Sequence, residues 1–166
     1  MTRPRPSLML LATLAALPRP AGAVGEDEAQ AAASASWGWL ETRGHGGVLR
    51  LEGQYGVTDG LALHATAGAS WHGATAARAV AVEAGVTYAL DILRVVPFGE
   101  AGLCVLGVAA GARGMGLQVG LGGEYLIDRH WALALVVRYA YLPLRLGGGP
   151  GRPSLLGAGL RLGYVF

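Results

Sequence analysis

The chain of 166 residues has a single cysteine and no lysine. One cysteine, Cys104, excludes an intramolecular disulfide and any cysteine-based metal centre. Alone in an apolar stretch, it reads as a small hydrophobe rather than a nucleophile. With every basic residue an arginine, a lysine-type polycationic patch is excluded as well. Charge itself is scarce: Asp, Glu, Lys and Arg make up 14% of residues, against about 25% in ordinary soluble domains. After residue 23 no apolar run approaches the ~20 residues that a membrane-spanning helix requires. Yet hydrophobic residues reach 52% and glycine contributes 28 residues. A surface so poor in charge has to be covered by something other than water.

The N-terminus has a pattern of its own. Met1 to Ser7 carries Arg3 and Arg5 and no acid, Leu8 to Leu17 is apolar, and Ala21-Gly22-Ala23 presents small side chains. Charged region, apolar region and A-x-A-like site predict a signal peptide over 1–23, cleaved before Val24. The apolar run is too short for a membrane anchor, and no cysteine follows the cleavage site to carry a lipid. Without Arg3, Arg5 and Arg19, ten arginines face eleven acids. That near-neutral balance gives no basis for a nucleic-acid partner.

Beyond the leader, apolar residues alternate with small or polar ones, the period-two signature of strands. Six segments are clear: Val48–Val57, Leu61–His72, Ala79–Leu90, Gly116–Ile127, Trp131–Leu142 and the C-terminal Ala158–Phe166. Two weaker segments, Ser34–Arg43 and Val96–Val108, complete a set of eight. Residues 24–33 are expected to form a short N-terminal periplasmic segment and 34–166 the folded domain. Tight turns are expected at Thr58-Asp59-Gly60, Asp91-Ile92 and Asp128-Arg129, each shortly after a tyrosine (Tyr55, Tyr88, Tyr125). The alternate connections, Gly44–Gly47, Gly73–Arg78, Ala109–Gly114 and Arg145–Ser154, are Gly-rich and predicted to be longer. Short turns on the side of both termini and longer loops opposite are the pattern of an up-and-down transmembrane barrel. Aromatic residues fall at both strand ends, where the two membrane interfaces select them.

A soluble eight-strand barrel would alternate too, with its apolar face inward. Here the polar face is mostly Gly, Ala, Ser and Thr, too sparse for a solvated surface, and the apolar face of the six clear strands carries no charge. The polar face is therefore predicted to line the interior. It would bring Glu52, Glu83, Glu100 and Glu124 together with Arg50, Arg138 and Arg161, bridged by His64, Gln54, Gln118 and Thr87. Eight strands leave an interior that side chains can fill. Gly85, Gly120, Gly122, Gly157, Gly159 and Gly163 on the same face suit a curved wall with close backbone approach.

The C-terminal strand, with Leu162, Tyr164 and Phe166 on its apolar face, resembles the C-terminal signal of Gram-negative outer-membrane β-barrels. From Ser34 to Phe166 the chain resembles the small outer-membrane β-barrel family, of the OmpA transmembrane-domain and OmpX type. The resemblance implies an eight-stranded antiparallel up-and-down transmembrane β-barrel in the cell outer membrane. Its partners would be outer-membrane lipid and the barrel-assembly machinery, which would recognise Leu162, Tyr164 and Phe166. The expected role is non-enzymatic, in envelope structure or integrity; the alternatives are a small pore or transport-associated barrel and a lipid-modifying enzyme. For catalysis, Ser70 and His72 share a face but lie two residues apart on a strand, about 7 Å, with no carboxylate placed to orient the histidine. His45, His64, His72 and His130 show no metal-ligand spacing. No catalytic, cofactor-binding or metal-binding residue is assigned.

Overall fold

The computed structural model describes residues 24–41, 44–73, 77–90, 95–108, 113–146 and 154–166. The expected signal peptide and the turn residues Asp91 and Ile92 lie outside the described residues. Eight strands form: β1 (Ala29–Leu40), β2 (Gly44–Gly56), β3 (Leu61–His72), β4 (Ala77–Ala89), β5 (Val95–Val108), β6 (Arg113–Leu126), β7 (Trp131–Arg145) and β8 (Ser154–Val165). Each pairs antiparallel with its successor, and β1 pairs with β8 from Gln30↔Val165 to Leu40↔Leu155. The sheet closes on itself and has no free edge. A strand of 12 residues such as β1, rising about 3.3 Å per residue and tilted about 40°, covers about 30 Å, the hydrocarbon thickness of a bilayer.

The alternation sorts the two faces of this wall. Leu51, Leu121 and Phe166 are 70%, 72% and 73% exposed, whereas Arg50, Glu52, Glu100, Arg138 and Arg161 are buried inside. This is the reverse of a soluble barrel, and the apolar exterior is what lipid contact requires. Trp37, Trp39, Trp71, Tyr139 and Tyr141 are exposed toward one end, and Tyr55, Tyr88, Tyr125, Trp131 and Phe166 toward the other. At the second end Tyr164 packs edge-on against Trp131 and Phe166, with ring centroids 5.1 and 5.0 Å apart.

Three expectations are corrected. First, β1 begins at Ala29 rather than Ser34, because the run Ala29-Gln30-Ala31-Ala32-Ala33 alternates only through the inward, buried Gln30. The remaining residues of the expected periplasmic segment also fold onto the barrel. Val24 is buried, Asp27 N–H donates to Gly56 O (3.1 Å), and the Tyr55 hydroxyl donates to Asp27 (2.8 Å).

Second, the expected asymmetry of connection lengths is absent. The connections 41–43, 73–76 and 109–112 are no longer in sequence than 57–60, 90–94 and 127–130 on the terminus side; only 146–153 is longer. Gly44–Gly47 is not a loop but the start of β2. Gly47 is there to make room, since a Cβ on it would clash with the Trp71 ring. Third, β7 continues past Leu142 to Arg145. The β6–β7 register shifts between Met115 and Leu117, near Pro143, whose missing N–H cannot complete the ladder.

Candidate functional site in the barrel lumen

The inward residues form layers along the axis. Toward the loop end, where residues 41–43, 73–76, 109–112 and 146–153 connect the strands, the lumen is apolar. Leu40, Ala79, Ala81, Cys104, Leu106, Val108, Ala140, Leu142 and Leu155 form one buried cluster, with Leu40 1% and Leu142 0% exposed. Cys104 takes part as a buried hydrophobe, as expected.

Below this plug lies the charged layer. All seven expected charges are buried there. Arg138 is its hub: Nη1 and Nη2 donate to the two oxygens of Glu52, both at 2.7 Å, and Nε and Nη2 donate to Glu100, the latter at 3.2 Å. Arg161 Nη2 donates to Glu124 at 2.6 Å, and its Nη1 lies 3.6 Å from Glu52. The Arg161 guanidinium also sits 4.6 Å above the Phe98 ring, a cation–π contact in a desolvated setting. Arg50 Nε lies 3.7 Å from Glu83, beyond hydrogen-bonding distance.

The bridging groups differ in part from expectation. Gln118 donates to Glu100 at 3.3 Å. His64 and Thr87, however, bond each other at 3.0 Å, and Gln54 Nε2 has no partner. The hydroxyls that complete the carboxylates are Ser34 on Glu52 (2.6 Å) and Thr66 on Glu83 (2.8 Å). Thr66 faces Glu83 directly across β3–β4, whereas Ser34, opposite Arg50, reaches Glu52 on the diagonal, Glu52 being paired with Ala32.

Glycine makes this layer possible. A Cβ on Gly120 would meet the Glu100 carboxylate at 2.5 Å, and one on Gly68 would meet Arg50 Cγ at 2.6 Å. Each glycine lies opposite the charged residue it accommodates, in the pairs Glu100↔Gly120 and Arg50↔Gly68. A cavity beside Ser34, Ser36, Arg50 and Arg138 measures about 10 Å³, room for about one water.

Ser70 and His72 are both inward and buried. His72 Nδ1 bonds the Gly44 carbonyl oxygen (3.2 Å), and its Nε2 has no partner. Among the described residues no carboxylate hydrogen-bonds His72, and no group of three or more His, Cys, Asp or Glu side chains could hold a metal ion.

No family model matches the chain. No curated protein matches it by sequence. Solved structures do resemble its fold. Neisserial surface protein A superposes with a TM-score of 0.67 at 17% identity, covering 84% of this chain and 96% of the other. The N-terminal β-barrel domain of Pseudomonas aeruginosa OprF gives 0.66 at 16% identity, covering 86% and 99%. The outer membrane enzyme PagL gives 0.51 at 15% identity, covering 80% and 97%, so the fold also hosts catalysis. Closed topology, outward apolar belt and these likenesses agree: the chain has the eight-stranded β-barrel fold of these small outer-membrane proteins.

Proposed function

We propose that the protein is a non-enzymatic component of the outer membrane with a role in envelope structure or integrity. The observation that carries this reading is the closed lumen. The layer of Leu40, Leu106, Leu142 and Leu155 spans the loop end, and the charged layer beneath it is filled by its own pairs. A pore needs a continuous hydrated path, which a packed leucine layer interrupts. A lipid-modifying enzyme needs a base that is oriented and within reach of substrate; His72 is bound to a backbone carbonyl and buried. Planar-bilayer recording should give no steady conductance, and lipid A from a deletion strain should be unchanged by mass spectrometry while the strain becomes more sensitive to detergents. Steady unitary conductance, or altered lipid A, would overturn the reading.

The proposal extends to assembly. Leu162 and Phe166 point outward at 46% and 73% exposure, and Val165 points inward at 7%. Leu162, Tyr164 and Phe166 form the face offered to the barrel-assembly machinery. Phe166→Ala should therefore refold almost normally in detergent yet accumulate in the periplasm of cells. Val165→Ala should reach the membrane, and equal membrane levels of the two would refute the recognition face.

A further inference from the structure

The glycines of β5 are of two kinds. Gly102 faces inward, and a Cβ on it would meet Ala84 O at 2.5 Å, so only glycine fits. Gly99, on the outward face, has no such neighbour. A Cβ there would meet Leu121 Cδ2 at 3.6 Å and Gly120 O at 3.9 Å, ordinary contact distances, and its φ is not positive. Glycine inside a strand weakens it, and no contact within the barrel requires this one.

What Gly99 leaves open is a groove on the outer wall. Gly99 is paired with Tyr88 on β4 and Leu121 on β6, and Ala101 with Val86 and Val119 on the same two strands. Leu121 and Tyr88 stand out at 72% and 58% exposure, so Gly99 and Ala101 form a floor between taller walls. The groove continues over β6 to Tyr139 on β7 and measures about 580 Å³, the size of a small-molecule site. The side chains facing it are apolar, apart from the hydroxyls of Tyr88 and Tyr139 on its two outer strands.

We propose that this groove holds one acyl chain of a phospholipid from the terminus-end leaflet, with the glycerol ester beside Tyr88. The groove is continuous with the apolar belt that faces lipid, so hydrocarbon is what reaches it. Its floor is two side chains along β5, about 7 Å, too narrow for a helix of about 10–12 Å. A second copy fits poorly as well. Strands tilted about 40° in each wall cross at about 80° when two walls face each other, which confines contact to one crossing. Tyr88 lies one residue from the end of β4, at the interface where tyrosine rings sit. The small floor residues let a chain approach the backbone closely. Failure of this proposal would leave the closed-lumen reading intact, because the groove lies outside the wall.

The test titrates the full chain in detergent with a diacyl phosphatidylethanolamine and counts bound lipid by native mass spectrometry. One phospholipid should be retained per barrel. Gly99→Leu and Ala101→Leu, which fill the floor, should each weaken its binding about fivefold. Gly107→Leu is the same change on the same outward face of β5, beyond the groove, where a Cβ would meet nothing closer than Val80 O at 4.0 Å. It should leave binding unchanged. Each variant is scored only after its cold-SDS mobility shows a closed barrel. No retained phospholipid, or equal losses in all three variants, would overturn the proposal. A dimer mass abolished by Gly99→Leu would overturn it in favour of a second copy, and displacement by equimolar lipid A would overturn the assignment to phospholipid.

Discussion

The loop-end layer and the central layer of the lumen close the same barrel by opposite chemistry. The first is held by leucines whose contacts are individually weak and non-directional. The second is held by guanidinium–carboxylate pairs, which are directional, and removing one partner leaves a buried charge. The apolar layer should therefore tolerate imperfect fit, and the charged layer should not. The difference also divides the work: the leucines exclude water, and the charges set which strands lie opposite which, since Arg138 on β7 reaches Glu100 on β5 and, across the lumen, Glu52 on β2.

The sharpest break of this contrast is Arg138→Ala, which strands Glu52 and Glu100 together. It should cost about 3–5 kcal/mol, measured by urea unfolding in detergent micelles. Leu142→Ala, a cavity in the apolar layer, should cost about 2–4 kcal/mol and keep the barrel closed. If the leucine variant proves the more costly, the charged layer is not the stricter of the two.

Coupling comes next. Glu124→Ala and Arg161→Ala should show an interaction energy of about 1–3 kcal/mol in a double-mutant cycle. Glu124 with Arg138 should be close to additive, because Arg138 donates to other carboxylates. The reverse result would reassign the pairs.

The smallest effect lies outside both layers. Asp128, in the 127–130 turn, accepts from His130 N–H and Trp131 N–H, both at 2.8 Å, and these bonds hold its carboxyl below the usual Asp value. A depressed pKa adds stability that is complete above the unfolded value of about 3.9 and is lost as pH falls through the folded value. Asp128→Asn should remove that acid-limb component while keeping the turn. The stability gap between the two proteins should narrow as pH drops below about 4, and a constant gap would show that the carboxylate's charge contributes nothing there.

Much of this architecture was legible in the sequence because alternation is a one-dimensional signal. Glu52, Glu83, Glu100 and Glu124 were assigned to the lumen by parity alone, and so were their arginines. Which carboxylate meets which arginine was not legible, because pairing depends on strand stagger. Arg138 and Glu52 lie 86 residues apart. Glycine misled in the other direction: Gly44–Gly47 has the composition of a loop, yet Gly47 makes space for Trp71 within a strand. In β1, an alanine run hid the strand's true start. Asp59 and Asp128 mark terminus-side turns in the sequence, whereas the Tyr55–Asp27 hydrogen bond spans 28 residues and has no local signal. Ser70 and His72 were correctly placed on one face, while the carbonyl of Gly44 as the partner of His72 depended on a strand read as a loop.

The β1–β8 seam has a consequence in time. Every other ladder joins strands adjacent in sequence and can begin to form as soon as its hairpin exists. The seam joins Gln30 to Val165, so the first strand waits for the last residues of the chain. Closing a loop of that length costs ~4 kcal/mol of chain entropy, and nothing repays it until the two ends zip. The rate of barrel formation should accordingly be governed by one encounter between the ends, and a partner that holds β8 in place would act on that single step.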